Sequence, residues 1–381
     1  MLTLPEPHGG KLLSIRDPKE SELDVKGLFQ IEIDSEVAST LSNMKKGIFS
    51  PLHGFVGQND YFSILENQRL ENGIPWSIPY LLHIGETTEE IIKEGDNVIL
   101  NFLREPVGCV RVEEIYRIDW RTYGKAVFGT NSLQHPGVAK IEVKPQKIIS
   151  GKLLWAKLPN LPFIDLALSP RETRKIFEQK GWKTISAFQT RNIPHRGHEY
   201  IQKMALQTTG ALFINPVIGK KKDGDYSDEA IIRGYKELIE NYYPSDRVLL
   251  SPVNYEMMYA GPREALIHAI MRKNFGCTHF IMGRDHAGVG SYYGPYDAQK
   301  NIDSFPDLGI EILHFNETFF CRSCNELTTD RACPHSENTR LRFSGTKIRE
   351  MIRSNSIPPS EFMRREVYET MINLKNQFVN H

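Results

Sequence analysis

Residues 184–210 constrain the fold more than any other part of this sequence, because they predict a strand, a polar turn and a helix in direct succession. Residues 184–188, Thr-Ile-Ser-Ala-Phe, are typical of a short buried strand. The side chains of Ile201, Met204, Ala205 and Thr208 then recur with the spacing of one helix face. Gly210 is a typical helix stop. Residues 189–200 therefore form a strand-to-helix turn. Open α/β sheets bind ligands at such turns, beside the free amides of a helix N-terminus.

The side chains of this turn suit an anion. His195 and His198 are three residues apart, so both imidazoles can face one side of the first helical turn and donate to phosphate oxygens. Gly197 removes a side chain where a ligand could approach the backbone. Arg191 offers a planar fork that matches a tetrahedral oxyanion, and Gln189 places a neutral amide beside it. Taken alone, the pattern is equally compatible with an ordinary turn that carries surface histidines.

The whole turn, Gln-Thr-Arg-Asn-Ile-Pro-His-Arg-Gly-His at residues 189–198, resembles a known signature. It is similar to the Gln-x-Arg-Asn-Pro-x-His-x-x-His motif of the ATP sulfurylase (sulfate adenylyltransferase) family, a branch of the His-x-Gly-His nucleotidylyltransferases. One departure is Ile193, which stands where many family members carry the first of two prolines. This departure changes the stiffness of the turn more than its chemistry. The resemblance extends over essentially the whole chain.

Strands and helices alternate on both sides of this turn. Ser169, Pro170 and Glu172 form a capping box with proline at the first helical position, which predicts a helix that ends around Gly181. Further strands are predicted at residues 211–218, 248–253 and 278–282, and further helices at residues 228–241 and 263–274. Such alternation predicts an α/β fold with a Rossmann-like parallel sheet and helices on both faces.

A second candidate site follows the strand predicted at residues 278–282. It is the polar loop Gly283-Arg284-Asp285-His286-Ala287-Gly288, again at the carboxyl end of a strand. Arg284 can neutralise a phosphate, and Asp285 and His286 can orient a neighbouring group or a water. The glycines let the backbone approach a ligand and donate N–H groups. A plain loop is the alternative, but the segment also matches the Gly-Arg-Asp-His-Ala-Gly motif of the ATP sulfurylase family.

A third motif is Phe-Ser-Gly-Thr-Lys-Ile-Arg at residues 343–349. Ser344 is a good N-cap, and Ile348, Met351 and Ile352 predict the buried face of a helix whose free amides suit phosphate. The motif resembles the Ser-x-Thr-x-x-Arg signature of the nucleotidylyltransferase superfamily, and a well-capped helix without a ligand is the alternative. The three lysines at residues 220–222 form either a mobile basic lid or a solvated loop, and Lys220 best fits the family position.

The first 160 residues alternate short β-type runs, such as residues 97–103 and 108–116, with Gly, Pro and Asp. They predict a mainly β domain with a few helices. Turn segments at residues 7–12, 50–55, 127–130 and 135–138 match the N-terminal domain of the same family, which implies a PUA-like fold. A change of pattern near residues 158–162 predicts three domains: residues 1–163, residues 164–318 with the catalytic groups, and a small C-terminal domain at residues 319–381.

Three of the five cysteines are clustered late in the chain. Cys321 and Cys324 have the spacing of a zinc knuckle, and Cys333 and His335 supply a third and fourth candidate ligand nearby. Four protein ligands leave no open coordination position, so a bound Zn²⁺ would be structural. Free buried thiols are the alternative. Some bacterial and archaeal ATP sulfurylases carry a comparable knuckle, and the resemblance therefore implies zinc. The remaining cysteines lie in apolar surroundings typical of core residues: Cys109 and Cys277.

Composition narrows the possible partners. Lys plus Arg and Asp plus Glu both number 47, so general attraction to nucleic acid or an anionic membrane is not expected. No apolar run approaches the roughly 18–20 residues that span a bilayer. The first residues lack the basic and apolar regions of a signal peptide, and the cysteines do not have the pattern of a disulfide framework. We therefore expect a cytoplasmic protein that binds neither nucleic acid nor membranes.

The resemblance implies a reaction: ATP and sulfate give adenosine 5′-phosphosulfate and pyrophosphate. Mg²⁺ would enter with ATP, and the family resemblance implies a homodimer or higher homo-oligomer. The resemblance assigns sulfate to Gln189, Arg191 and the Ala287 backbone. It assigns the phosphates of ATP to Asn192, His195 and His198. The nucleotide site would include the remaining residues of the second motif, which are Gly283, Arg284, Asp285 and His286. Thr190 and Ser344 would be further substrate contacts.

The residues expected to act in catalysis are Arg191, Asn192, His195, His198 and Arg284. Two alternatives stay open at this point. One is another His-x-Gly-His adenylyltransferase that acts on an organic phosphate, and the other is a non-catalytic zinc-knuckle protein that binds a nucleotide. No Gly-x4-Gly-Lys-[Ser/Thr] phosphate loop occurs in the sequence, so a fused adenylylsulfate kinase is not expected.

Overall fold

The computed structural model describes residues 4–85, 92–221 and 223–379. Its first part is a six-stranded, mostly antiparallel sheet with four helices, which confirms the mainly β prediction. The elements are β1 Phe29–Glu32, α1 Ser35–Lys46, β2 Gly54–Phe55, α2 Gln58–Asn67, β3 Leu82–Ile84, β4 Asn97–Phe102, β5 Glu105–Arg117, α3 Trp120–Phe128, α4 Pro136–Glu142 and β6 Lys147–Ala156. Among the described strands of this sheet only the β1–β4 pair is parallel, and the order is β1-β4-β5-β6-β2 with β3 also paired to β6.

The middle of the chain forms a second, parallel sheet with helices on both faces, as the alternation predicted. Its elements are α5 Pro170–Gln179, β7 Ser186–Thr190, α6 Arg196–Thr209, β8 Leu212–Ile218, α7 Asp228–Tyr242, β9 Val248–Leu250, β10 Val253–Asn254, α8 Pro262–Phe275, β11 His279–Met282, α9 Asp297–Ile302 and β12 Glu311–His314. The strand order is β10-β8-β7-β11-β12, and β9 lies beside β8. The direction of winding reverses between β7 and β11, and this switch point is where such sheets bind ligands.

The capping signals act where the sequence placed them. The Ser169 hydroxyl oxygen accepts a hydrogen bond from the Glu172 N–H, and the Glu172 carboxylate accepts one from the Ser169 N–H. Helix α5 therefore begins at Pro170. The predicted strand at residues 248–253 is divided into β9 and β10.

The prediction for the buried face of α6 is partly wrong: Ile201 and Ala205 are buried, but Met204 is 42% exposed and Thr208 is also exposed. The polar residues Gln202 and Thr209 are buried instead, because Gln202 accepts a hydrogen bond from the Tyr243 hydroxyl and Thr209 bonds to Ser186.

The last part of the chain is a small antiparallel sheet followed by two helices. Its elements are β13 Thr318–Cys321, β14 Glu326–Thr329, β15 Arg340–Arg342, α10 Gly345–Arg353 and α11 Arg365–Ile372, with strand order β14-β13-β15. Ile348 and Ile352 are buried as predicted, while Met351 is half-buried. These helices share a core with Phe188 of β7 and Tyr235 of α7. The domain limits at residues 163 and 318 stay a prediction. The helices after β15 pack on the parallel sheet and not on the small sheet alone.

Helix α8 joins the first sheet to the second. It is buried along nearly its whole length, and the guanidinium of Arg263 donates to the carbonyls of Ile64, Leu65 and Ser77 at 2.6–3.1 Å. The Asn274 amide donates to the carbonyls of Ile48 and Ser50 at 2.9 Å. The N-terminal part of the chain therefore holds both ends of α8, and His268 in the middle of the helix contacts Gln189 and His286 at the switch point. No helix in the described part of the chain is long and apolar enough to cross a membrane.

Candidate active site at the switch point of the parallel sheet

A cleft of about 390 Å³ lies at the carboxyl ends of β7 and β11. It brings together the first two sequence motifs, although they are about 90 residues apart in the chain. All but one of the predicted catalytic and substrate-binding residues line it: Gln189, Thr190, Arg191, Asn192, His195, His198, Gly283, Arg284, Asp285, His286 and Ala287. The exception is Ser344, which does not line the cleft.

The two motif histidines are held in a stack. His195 is the N-cap of α6, and its Nδ1 accepts the backbone N–H of His198 at 3.3 Å. The two rings lie 3.7 Å apart between centroids, and the ring of Phe343 stacks on the other side of His195 at 5.3 Å. His198 Nδ1 lies 3.3 Å from the Tyr235 hydroxyl. The imidazoles therefore have fixed orientations before any ligand binds.

Burial keeps both imidazoles neutral at pH 7. Desolvation lowers the pKa of His195 to about 4, and desolvation with the neighbouring His195 lowers the pKa of His198 well below its ordinary value. Because Nδ1 of His195 accepts a backbone N–H, the proton of the neutral ring is on Nε2. His195 can thus donate one hydrogen bond to an anion without contributing a full positive charge.

Arg191 and Gln189 can each donate an N–H group to an anion, whereas the amide oxygen of Gln189 cannot, because it only accepts hydrogen bonds. Arg191 Nη1 and Gln189 Oε1 are buried and have no hydrogen-bond partner among the described residues. The Gln189 amide nitrogen donates to His268 Nδ1 at 2.9 Å and keeps a second hydrogen. The guanidinium carbon of Arg191 lies 4.8 Å from the ring centre of Tyr259. An unpaired, buried guanidinium nitrogen is costly unless a ligand accepts its hydrogen bond.

The second motif has a strained backbone, and its arginine forms ion pairs with carboxylates. Asp285 and Ala287 have φ values of 54° and 56°, which non-glycine residues rarely adopt and which are found at ligand sites. Arg284 contacts Asp285 at 3.3 Å and Glu317 at 3.1 Å. Glu317 also pairs with Arg342 at the end of β15. The positive charge expected to neutralise phosphate is therefore shared with carboxylates that line the same cleft.

The third motif reaches the cleft through Phe343 and Arg349. Ser344 caps α10 by accepting the N–H of Lys347 at 3.3 Å, as the sequence predicted. Arg349 donates to the amide oxygen of Asn192 at 3.1 Å and lies 3.6 Å from Asp225.

The two described lysines of the candidate lid have different surroundings. Lys220 is exposed and Lys221 pairs with Asp228. Lys222 lies outside the described residues.

Cys321, Cys324, Cys333 and His335 form a compact cluster in which one ligand atom from each lies within 4.8 Å of the others. Cys324 and Cys333 have sulfurs 3.8 Å apart, and His335 Nδ1 lies 3.2–3.6 Å from the three sulfurs. A tetrahedral Zn²⁺ with standard bond lengths requires about 3.8 Å between sulfurs and about 3.6 Å between sulfur and nitrogen. The donors and spacing fit a tetrahedral metal ion, and Cys109 and Cys277 are buried in the core as predicted.

Several residues of the site were not assigned a role from the sequence. Phe343, Tyr259 and Glu317 line or adjoin the cleft, and Glu264 and His268 lie behind it. Of these residues, only Phe343 was indicated by the sequence, because it is the first residue of the motif at residues 343–349.

A parallel sheet with a His-x-Gly-His turn at its switch point defines the class: an α/β protein of the nucleotidyltransferase type, preceded by a mainly β domain. The ATP-sulfurylase family model matches residues 165–374, and a PUA-like domain model matches residues 5–157. The chain belongs to the ATP-sulfurylase family.

Relatives named sulfate adenylyltransferase match over nearly their full length. Those of Ignicoccus hospitalis and Pyrococcus abyssi are each 47% identical over 379 residues, covering 98% of this chain and 99% of the relative. That of Chloroflexus aurantiacus is 45% identical over 372 residues, covering 97% of both chains. A solved structure titled hexameric APS kinase from Thiobacillus denitrificans aligns with a TM-score of 0.75 at 20% identity, covering 96% of this chain and 67% of that one. At that identity the structure supports the fold alone.

Proposed function

We propose that this chain is a sulfate adenylyltransferase, which converts ATP and sulfate into adenosine 5′-phosphosulfate and pyrophosphate. The observation that carries the proposal is the unpartnered, buried guanidinium nitrogen of Arg191 in the same cleft as the stacked, neutral His195 and His198. Relatives with this name cover nearly the whole chain at up to 47% identity.

The chemistry needs donors and cations more than a base. Sulfate is fully ionised, so its oxygen attacks the α-phosphorus without losing a proton. The new S–O–P link forms as the bond from the α-phosphorus to the bridging oxygen breaks, and that oxygen leaves with pyrophosphate. The enzyme must hold two anions in line and offset their repulsion.

The cleft residues divide into two halves under this proposal. Gln189, Arg191 and the backbone N–H of Ala287 hold sulfate. Asn192, His195 and His198 contact the phosphates of ATP, and the two histidines act as neutral donors to the α-phosphate and the leaving pyrophosphate.

The nucleotide site is formed by the remainder of the second motif, beside Thr190: Gly283, Arg284, Asp285 and His286. Ser344 acts through the capping of α10, which carries Arg349 toward Asn192. Catalysis then rests on Arg191, Asn192, His195, His198 and Arg284.

Two metals belong to the proposal. Mg²⁺ enters with ATP, because the described residues contain no carboxylate cluster at the cleft that is spaced to hold a metal ion. Zn²⁺ is held by three thiolates and His335, and four protein ligands make its role structural. Metal analysis of protein purified without chelator should give one zinc per chain, and an absence of zinc would contradict this part.

The decisive experiment supplies adenylylsulfate, pyrophosphate and Mg²⁺ and follows ATP formation, which avoids accumulation of a high-energy product. Rapid ATP formation is expected, with a loss of about 10²-fold or more in Arg191→Ala and His198→Ala. A turnover of Arg191→Ala within a few-fold of the parent would contradict the sulfate assignment. Failure of the folded, zinc-loaded protein to make ATP would contradict the function itself.

Two further predictions from the sequence stay open to test. The homodimer or higher homo-oligomer is checked by light scattering on the eluted protein. The cytoplasmic location agrees with the five cysteines, none of which is in a disulfide bond.

A further inference from the structure

The three groups proposed to hold sulfate all contact one segment that the sequence motifs do not include. This segment is residues 257–268, which comprise the loop before α8 and the first half of that helix. Its contacts are with Arg191, Gln189 and Ala287.

Tyr259 supports Arg191 from a strained position. The Arg191 guanidinium lies over the Tyr259 ring, while Tyr259 itself has a φ of 61°, which a bulky aromatic residue rarely adopts. Its carbonyl lies 3.1 Å from Nε2 of His135 and accepts the Tyr293 hydroxyl at 3.0 Å. Such a conformation persists only where the surroundings determine it fully, and this is typical of functional sites.

Glu264 holds the residues on both sides of Tyr259. Its side chain is fully buried, and its two carboxylate oxygens accept the N–H groups of Met258 and Ala260 at 2.9 and 3.0 Å. Burial raises the pKa of this carboxyl to about 7, so the two hydrogen bonds offset only part of its desolvation. The Glu264 carboxyl is thus buried in spite of its desolvation, and its two hydrogen bonds fix the shape of the loop around Tyr259.

His268 extends the contact to the other two groups. Its Nε2 faces Glu264 Oε1 at 3.6 Å, which favours the proton on Nε2 and leaves Nδ1 to accept from the Gln189 amide at 2.9 Å. The same Nδ1 lies 3.1 Å from His286 Nε2, next to Ala287. The N–H of Gly261 donates to the Ala287 carbonyl at 3.1 Å.

We propose that Glu264 and His268 are positioning residues for the sulfate half of the cleft. They set the affinity for a tetrahedral dianion by orienting Tyr259 under Arg191, the Gln189 amide and the Ala287 backbone, and they do not touch the anion themselves. The inference rests on the proposed function and names the groups that determine its sulfate affinity.

The test compares two conservative variants that each alter one buried polar group. Glu264→Gln keeps the shape but places an amide NH₂ against one of the two backbone N–H groups, so the loop loses a hydrogen bond. Tyr235→Phe removes the hydroxyl beside His198, in the ATP half. We expect Glu264→Gln to raise the KM for sulfate about tenfold with the KM for ATP within twofold. Tyr235→Phe should leave the KM for sulfate within twofold.

Tyr259→Asn provides a second variant should Glu264→Gln fail to fold. Asparagine tolerates the left-handed backbone, so the change removes the ring under Arg191 without adding strain. It should also raise the KM for sulfate about tenfold. An unchanged KM for sulfate in Tyr259→Asn, or an equal rise of both KM values in Glu264→Gln, would overturn the inference.

Direct binding separates this inference from the proposed function. Sulfate is titrated calorimetrically into protein saturated with α,β-methylene-ATP, which cannot transfer its adenylyl group. Wild type should bind sulfate, Glu264→Gln about tenfold more weakly, and Tyr235→Phe like wild type. Sulfate binding by a wild type that makes no adenylylsulfate would contradict the function and leave this inference standing. A wild type that binds no sulfate would overturn the inference.

Discussion

Gly197 shows how closely single residues are fitted in the cleft. A Cβ at this position would lie 2.9 Å from the Phe343 ring and 3.1 Å from Cε1 of His195. Any side chain there would displace Phe343 or turn the His195 ring. The small residue inside the His-x-Gly-His turn therefore has a packing role in this chain, because it allows the stack of Phe343, His195 and His198.

Gly197→Ala should lower kcat/KM by about 10²-fold, since a displacement of catalytic groups by about 1 Å costs that much. The matched control is Gly210→Ala at the other end of the same helix. Gly210 has a φ of 80°, and a Cβ there would meet no described atom within 4 Å, so the control should lose about 1 kcal/mol of stability with its kinetics unchanged. Steady-state kinetics and urea unfolding of both variants measure this. A kcat/KM within twofold of wild type in Gly197→Ala would contradict it.

Helix α6 is fastened to the C-terminal part of the chain by a buried carboxylate. Glu199, whose side chain is 4% exposed, accepts two hydrogen bonds from Arg364 at 2.7 and 3.0 Å and pairs with Lys203. The N–H of Arg196 donates to the Phe362 carbonyl at 2.8 Å. The helix that begins with His195 thus depends on residues about 165 positions later in the chain.

Arg364→Met should lower the free energy of unfolding by about 2 kcal/mol, because it removes a two-bond partner of a buried carboxylate. Arg365→Met is the adjacent control. Arg365 pairs with Glu369 on the surface, where an ion pair contributes about 0–1 kcal/mol, so this variant should match wild type closely. Urea unfolding at pH 7 decides the matter, and equal losses in the two variants would contradict the prediction.

The cluster of three cysteines and His335 lies in the small antiparallel sheet, whose last strand leads into the active site. Cys321 ends β13, and Phe343 follows directly after β15. Removing a metal held by this cluster should therefore loosen the strand that carries Phe343.

Chelation of the proposed zinc should raise amide exchange in β13, β14 and β15 by about tenfold or more, because three thiolates are left without their counter-ion. Exchange in β4 and β5 of the N-terminal sheet is the internal control and should not change. Hydrogen exchange followed by mass spectrometry measures both regions together. Protection in the small sheet that survives complete loss of the metal would contradict a structural role.

Desolvated histidines make the stability of the whole molecule depend on pH. Desolvation lowers the pKa of His8, His83 and His195 to about 4 and that of His286 to about 3. Their pKa values are lower in the folded chain than in the unfolded chain. The stability that they contribute is therefore present above about pH 6.5 and is lost as the pH falls toward 4.

The free energy of unfolding should fall between pH 7 and pH 5, by about 2 kcal/mol for the fully buried His8 and by less for the half-buried His83, His195 and His286. The raised pKa of Glu264 acts in the opposite direction and offsets part of this loss. Urea titrations at pH 7, 6 and 5 test the expectation, and His8→Asn should make the slope shallower by about one proton. Equal stability of wild type at pH 7 and pH 5 would contradict it.

Local patterns in the sequence determined the elements and the polar groups that line the cleft. The capping box at Ser169, the helix stop at Gly210 and the strand end before Gly283 depend on residues a few positions apart in the chain, whereas β7 continues to Thr190, two residues beyond its predicted end. The spacing of Cys321 and Cys324 likewise belongs to a local hairpin. These features follow from backbone periodicity and short-range hydrogen bonds.

The residues behind and beside those groups come from distant segments that the packing of the fold brings to the cleft. Tyr259, Glu264 and His268 lie about 70 residues from Arg191 and Gln189, and nothing in their own segment distinguishes them from ordinary polar and aromatic residues of a buried helix and the loop before it. Phe343 meets His195 across about 150 residues. Such contacts depend on how the sheets and helices pack, because burial, strain and pairing are properties of the assembled core and not of any stretch of sequence.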